Sequence, residues 1–273
     1  MRWVIGDIHG MFHPLETLLE AVAKLDTSPR FIFVGDYVNR GPDARKVLEL
    51  LLSLTTAKFV RGNHDDIFDL VLHGQSYADN ATEGNRLAAF SWFMNYGLDH
   101  TLVSYGADLA ELHHLARHPS VTRLEQLVTV VPDDHRTFVR NLPGLVEYDD
   151  VFVVHAKWSI HDPSELPSLA VRLAAHAALR HKVIWGRYTL QEIVAPKQWM
   201  RTGFFGHTPV THYLPTADPH AIQPDSVVPL TGPNIVLVDT AAALSARGRL
   251  TAYCVETHQF VQADHFGKLV KAG

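Results

Sequence analysis

The chain of 273 residues has a single cysteine, Cys254, so no disulfide can form within it. That agrees with a reducing compartment. No apolar run approaches the ~18 residues that a membrane helix needs. The opening stretch, MRWVIGDIHG, lacks the basic, apolar and small-residue succession of a secretory leader. The expectation is a soluble cytoplasmic protein without membrane attachment. A net charge of −5 and a pI near 6.4 give no general attraction to duplex nucleic acid. Internal repeats and low-complexity tracts are also missing. Apolar residues are plentiful, at 47%, enough to bury the core of one large α/β domain. Histidine, with 18 copies, is abundant enough to raise the question of a metal.

The first seventy residues repeat strand, sharp turn and helix. RWVI, RFIFV and AKFV read as short buried strands. The helices after them carry apolar faces at Leu15, Leu18, Leu19 and Val22 and at Val47, Leu48, Leu51 and Leu54. Pro14 suits a helix's first turn and Asp43 a helix start. This alternation predicts parallel βαβ units. From about residue 74 to 145 strand signals fade and helical ones replace them, which predicts an inserted helical cap within one domain spanning 1–273. Strand texture returns at 151–156, 182–187, 203–208, 234–240 and 249–256, and 208–233 reads as a long loop.

Polar residues follow the apolar strands directly: Asp7 and His9, Asp36, Asn63 and His64, His155, His207. Ligands of open α/β sheets bind beyond the carboxyl ends of strands, so these side chains should converge. Carboxylates and imidazoles suit Mn, Fe or Zn. Taken singly, each is more simply a turn or core residue. In order, as GDIHG, GDYVNRG, RGNHD, HA and GHT, they make a pattern.

That ordered set resembles the phosphoprotein phosphatase branch of the calcineurin-like metallophosphoesterases. VIWGR, FGHTP and the final VDT…GRLT look most like bacterial and phage serine/threonine protein phosphatases, as does the stretch WFMNYG…TLVSYG. The resemblance implies an α/β fold, a β-sandwich flanked by helices with an inserted cap, and two divalent metals, Mn first, with Fe or Zn as alternatives. By resemblance, Asp7 and His9 hold one metal, Asp36 bridges, and Asn63, His155 and His207 complete the second. Arg40 and Arg187, with Asn63, grip phosphate, and Arg61 either joins them or braces neighbouring carboxylates. His64 is the implied general acid, oriented by the amide oxygen of Asn39, where the pattern has an aspartate. The implied reaction is phosphomonoester hydrolysis by direct attack of a water or hydroxide shared by the metals.

Three departures bear on substrate choice. Lys157-Trp158 follows the HA pair where glycine is usual, Gly186 precedes Arg187 in place of asparagine, and the usual DTGA reads Asp239-Thr240-Ala241-Ala242. The leading expectation is a phosphoprotein or phosphopeptide substrate. The alternatives are a symmetrical diadenosine tetraphosphate hydrolase, whose members include several with asparagine at the position of Asn39, and a non-catalytic phosphoprotein binder. HHLARH (113–118) reads as a solvated helix face, Cys254 as core, and Asp239 as a turn or supporting residue. Trp92, Phe93 and Tyr96 read as packing, with one of them lining the cleft as the alternative.

Overall fold

The strands are β1 (Arg2–Ile5), β2 (Arg30–Phe33), β3 (Lys58–Phe59), β4 (Val146–Glu147), β5 (Val151–Val153), β6 (Thr202–Phe205), β7 (Leu230–Gly232), β8 (Ile235–Leu237), β9 (Arg249–Cys254), β10 (Phe260–Asp264) and β11 (Leu269–Val270). This is a computed structural model, describing residues 1–78, 83–159, 169–197, 199–215 and 227–270. Two mixed sheets form, in the orders β11-β10-β9-β1-β2-β3 and β4-β5-β6-β8-β7. Within them β1-β2-β3 and β5-β6-β8 are parallel runs.

The helices are α1 (Phe12–Leu25), α2 (Ala44–Ser53), α3 (Asn63–His73), α4 (Glu83–Phe93), α5 (Leu98–Ser104), α6 (Leu109–Arg117), α7 (Val121–Leu127), α8 (Asp133–Arg140), α9 (Leu169–Ala175), α10 (Ala177–Trp185) and α11 (Leu190–Val194). Alternation along the strands explains the layering. In β1, Val4 enters the core shared with Val151, Val153, Phe204 and Val236 of the other sheet. Its neighbours Trp3 and Ile5 point the opposite way, onto Leu15, Leu18 and Val22 of α1. The second sheet buries Phe152, Phe205 and Leu237 against Val183 and Ile184 of α10 and Ile193 of α11. The result is an α/β fold, with helices flanking two mixed sheets, as the resemblance implied.

Most expected elements are present, with some corrections. Residues 182–187 are not a strand. Lys182–Trp185 close α10, and Val183 and Ile184 are buried as a helical face. An apolar triplet serves either period, and the preceding AALRH extends the helical one. The strand at 151–156 stops at Val153, and α1 starts at Phe12, two residues before Pro14. Asp43 flanks α2 but makes no side-chain cap; its carboxylate pairs with Lys46. The 208–233 loop carries a 3-10 turn at Val210–Tyr213 and strand β7, with 216–226 outside the described residues. Strands β4, β10 and β11 were not anticipated. Between β3 and β4 the described residues contain helices and no strand. His113, His114 and His118 lie on an exposed face of α6 or just beyond it, and Cys254 is buried and free. Among the described residues no helix is long and apolar enough to cross a membrane.

Candidate metal centre

Each parallel strand delivers a polar residue at its carboxyl end. Asp7 and His9 follow β1, Asp36 follows β2, Asn63 and His64 open α3 just after β3, His155 follows β5, and His207 follows β6. All are buried. Asp36 is the centre of the cluster. His9 Nε2 lies 3.4 Å from one of its carboxylate oxygens and His155 Nε2 3.4 Å from the other. One potential ligand atom from each of Asp7, Asp36 and His155 lies within 4.8 Å of the others, and the same holds for His9, Asp36 and His64. Asn63 Oδ1 joins the far side, 3.0 Å from His155 Nε2 and 2.8 Å from His207 Nδ1.

The backbone is bent to achieve this. His9, Asp36, Asn39, Arg40, His207 and Ala241 all have positive φ, between 50° and 70°. A left-handed L-residue costs about 1–2 kcal/mol, so such crowding at one spot marks a functional site. Two glycines are obligatory here. A methyl group at Gly62 would collide with the Asp36 carboxylate, and one at Gly206 with that of Asp7.

The ring orientations suit a metal. His9 Nδ1 is 3.1 Å from the carbonyl of Val38 and His155 Nδ1 2.9 Å from that of Val34. These outer hydrogen bonds turn each Nε2 toward Asp36. The buried Asp7 Oδ1 and His207 Nε2 have no hydrogen-bond partner, an expensive state unless a cation takes their lone pairs.

The electrostatics point the same way. Burial lowers His9 to about 4 and His207 to about 3, so both are neutral and free to ligate. Burial, then the nearby Asp239, raises Asp7 well above the ordinary carboxylate range. Burial opposes charge on both Asp36 and His155, but their attraction prevails. Asp36 lies well below the usual range, and His155 rises to about 10. That proton occupies a place where a cation would serve. Five buried donor side chains around the shared carboxylate of Asp36 therefore fit a dinuclear divalent metal site.

Beside this cluster, a cavity of about 190 Å³ is lined by Asp36, Asn63, His64 and His207, with Arg40, Arg187 and the aromatic rings of Trp92, Phe93, Tyr96 and Trp185. Arg40 Nη2 lies 3.5 Å from His64 Nε2, and Arg187 Nη1 donates to Thr208 Oγ1 at 3.1 Å. Arg61 is elsewhere. Its guanidinium pairs with Asp66 and Asp69 and donates to the carbonyls of Val139, Arg140 and Leu142. It braces α3 against the end of α8 and does not line the cavity.

Asn39 departs from expectation in orientation. Its Nδ2, not its oxygen, faces His64 Nδ1 at 3.0 Å, and its Oδ1 accepts from the Thr101 hydroxyl at 3.0 Å. The same hydroxyl accepts the Asn39 backbone N–H at 2.8 Å. With Nδ1 accepting from the amide, the neutral His64 ring carries its proton on Nε2. Burial holds its pKa well below the ordinary histidine value. His64 Nε2 and Arg40 Nη2 are then two donors side by side, a place for an anionic oxygen.

Three contributors escaped the sequence reading. Thr101, on α5, opens the stretch TLVSYG, to which no role had been assigned. Asp65 accepts the backbone N–H groups of Asp36, Tyr37 and Gly62, tying the second and third loops together. Its place in RGNHD was the available signal. Trp185, the last residue of α10, lines the cavity. Asp239 accepts the Ala241 N–H at 2.9 Å and, through burial, rises to about 6. Of the cap aromatics, Phe93 is buried, whereas Trp92 and Tyr96 are exposed at the cavity.

The chain resembles two curated bis(5'-nucleosyl)-tetraphosphatases of the symmetrical type. The one from Coxiella burnetii is 33% identical over 131 residues, covering 47% of this chain and 39% of that one. The one from Legionella pneumophila is 42% identical over 77 residues, covering 28% of each. The matches thus span well under half the length of these relatives. Among solved structures, a cold-active protein-tyrosine phosphatase of a Shewanella species shares the fold, with a TM-score of 0.52 and 15% identity over 98% of this chain and 79% of that one. The calcineurin-like phosphoesterase family model matches residues 2–211. The chain belongs to the calcineurin-like phosphoesterase family.

Proposed function

We propose that the protein hydrolyses the central anhydride of symmetrical dinucleoside tetraphosphates, releasing two nucleoside diphosphates. The observation that carries this is the neutral amide of Asn39 on His64 Nδ1, 3.0 Å away. A carboxylate there would favour imidazolium, the stronger acid that an alkoxide leaving group requires. A nucleoside diphosphate is a far weaker base than a serine alkoxide. It leaves with less help, and the Nε2–H of a neutral ring suffices. The curated relatives, named as symmetrical tetraphosphatases, support the same reading. It takes the place of the phosphoprotein substrate as the leading reading.

In this proposal Asp7, His9, Asp36, Asn63, His155 and His207 hold two divalent cations, Mn foremost, which supply water activation and charge neutralisation. Arg40 and Arg187 grip the phosphate oxygens, since a guanidinium matches phosphate geometry through paired hydrogen bonds. A water oxygen bonds to phosphorus as the bridging P–O bond breaks. The leaving oxygen takes its hydrogen bond, and where needed its proton, from His64 Nε2. Asn39 keeps that proton on Nε2, and Thr101 keeps the amide turned. The helical segment, about 74–145, belongs to the same domain as the sheets and contributes Trp92, Phe93, Tyr96 and Thr101.

The later motifs VIWGR and FGHTP support a second reading, hydrolysis of phosphoserine or phosphothreonine in proteins. One assay separates the two. Purified, Mn-loaded protein is given diadenosine tetraphosphate, a phosphoserine peptide and p-nitrophenyl phosphate. The proposal requires kcat/KM to be highest for the dinucleotide, with ADP as the product. A clear preference for the peptide overturns it.

A further inference from the structure

The cavity over the metal cluster, about 190 Å³, falls below the ~300–1,000 Å³ of sites that enclose an organic ligand. It can take phosphate groups, but not a nucleoside as well. A second cavity of about 430 Å³ adjoins it, lined by Asp66, Leu70, Ala88 and Ala89, and by Trp92 and Trp185. The two tryptophans line both spaces. A ligand that occupies both cavities therefore meets these two side chains.

The rings are disposed for this. Trp92, on α4, is 53% exposed, and Tyr96 beside it is 41% exposed, their centroids 5.4 Å apart. A tryptophan so exposed forgoes hydrophobic burial and leaves much of its ring open to a ligand. Phe93 is buried and makes edge contacts with Trp92 at 5.3 Å and with Trp185 at 6.3 Å. Trp185 in turn packs edge-on against His207, 6.3 Å between centroids. A continuous aromatic rim thus runs from the metal cluster outward. Small Ala88 and Ala89, one helical turn before Trp92, leave room alongside it. A flat, weakly polar group attached to phosphate is what such a rim recognises. A peptide segment would instead call for backbone partners or an apolar groove.

We propose that Trp92 and Trp185 form a nucleobase-binding slot. The base of one nucleotide half stacks there while its phosphates reach Arg40 and Arg187. The choice of a base over another planar group rests on the anhydride reading above. Base–aromatic stacking tolerates any base, so the slot should accept purines broadly and prefer the larger ring.

The test compares two inhibitors of p-nitrophenyl phosphate hydrolysis by the Mn-loaded protein: ADP, which carries a base, and inorganic pyrophosphate, which does not. Wild type should bind ADP more tightly than pyrophosphate. Trp92→Ala should shrink that advantage by roughly 5- to 150-fold, the range for loss of one base–aromatic stack. Trp92→Phe, which keeps a ring, should restore most of it. Metal content and circular dichroism check that the alanine variant is folded. An ADP advantage that is absent in wild type, or unchanged in Trp92→Ala, overturns the slot. Hydrolysis of diadenosine tetraphosphate by wild type, measured in parallel, is a separate outcome. Its failure overturns the proposed reaction, and its success alongside an unaffected Trp92→Ala overturns the slot alone.

Discussion

The side-chain amide of Asn39 donates to Nδ1 of His64 across 3.0 Å, so a neutral group stands behind the ring that faces the phosphate cavity. Substituting Asn39→Asp adds a negative charge at that distance. Burial now holds the His64 pKa well below the ordinary value, and a carboxylate raises it, often by a unit or more. Imidazolium then persists to higher pH. The basic limb of kcat for a phosphoserine peptide should move upward, with a smaller rate effect on p-nitrophenyl phosphate. Profiles are measured at saturating metal, because metal-coordinated water titrates in the same range. An unmoved limb would detach Asn39 from proton donation.

Thr101→Val tests the outer link of the same chain. It removes the acceptor for the Asn39 backbone N–H and the donor to Oδ1. Leaving buried groups unpaired costs about 1–3 kcal/mol, visible as a lower denaturant midpoint. The amide is then free to turn, and kcat should fall more than KM changes, with metal content intact. Thr101→Ser, which restores the hydroxyl, should recover most of the rate.

The arginines should divide into two kinds. Arg40→Ala and Arg187→Ala are expected to lower kcat/KM by roughly 2–4 kcal/mol in transition-state terms while both metals stay bound. Arg61→Ala strands the buried carboxylates of Asp66 and Asp69. Breaking such a pair costs about 3–5 kcal/mol of stability, so this variant should unfold early. Calorimetry with metal analysis distinguishes the two outcomes.

Metal and fold should be coupled, with a sign that reverses at Asp7. Chelation should lower Tm, since saturation at a hundred times Kd is worth about 2.7 kcal/mol per site. The Asp7 carboxylate is buried beside Asp239 and Asp36, which holds its pKa high. Asp7→Asn should therefore raise the Tm of metal-free protein and remove most of the gain from Mn. A variant whose metal-free Tm falls as far as its metal-loaded Tm would contradict this.

Metal affinity should rise with pH. Without a cation, His155 stays protonated up to about 10, whereas His9 and His207 are already neutral above about 4 and 3. Between pH 6 and pH 9 the proton displaced at a histidine is therefore that of His155. Titration calorimetry in buffers of differing ionisation enthalpy should detect its release. His155→Asn should flatten that dependence as well as weaken binding.

Much of this was legible before any coordinates, because it is local. Short apolar runs marked β1 and β2 as buried strands, and the polar residues directly after such runs marked Asp36 and His207 as site candidates. The donor types there specified the chemistry on offer. Element type failed where local signals were ambiguous: Lys182–Trp185 suits a strand or a helix until Val183 and Ile184 find the face they pack on.

What tertiary structure alone decided is pairing between residues remote in sequence. Arg61 and Arg40 both sit in turns after strands. Only the approach of α8 takes Arg61 out of the cavity, by offering three carbonyls and room beside Asp66 and Asp69. The side of Asn39 that meets His64 depends on a hydroxyl 62 residues away, on α5. A side-chain amide has a donor face and an acceptor face. Its own sequence neighbours do not choose between them; the partner brought beside it by packing does.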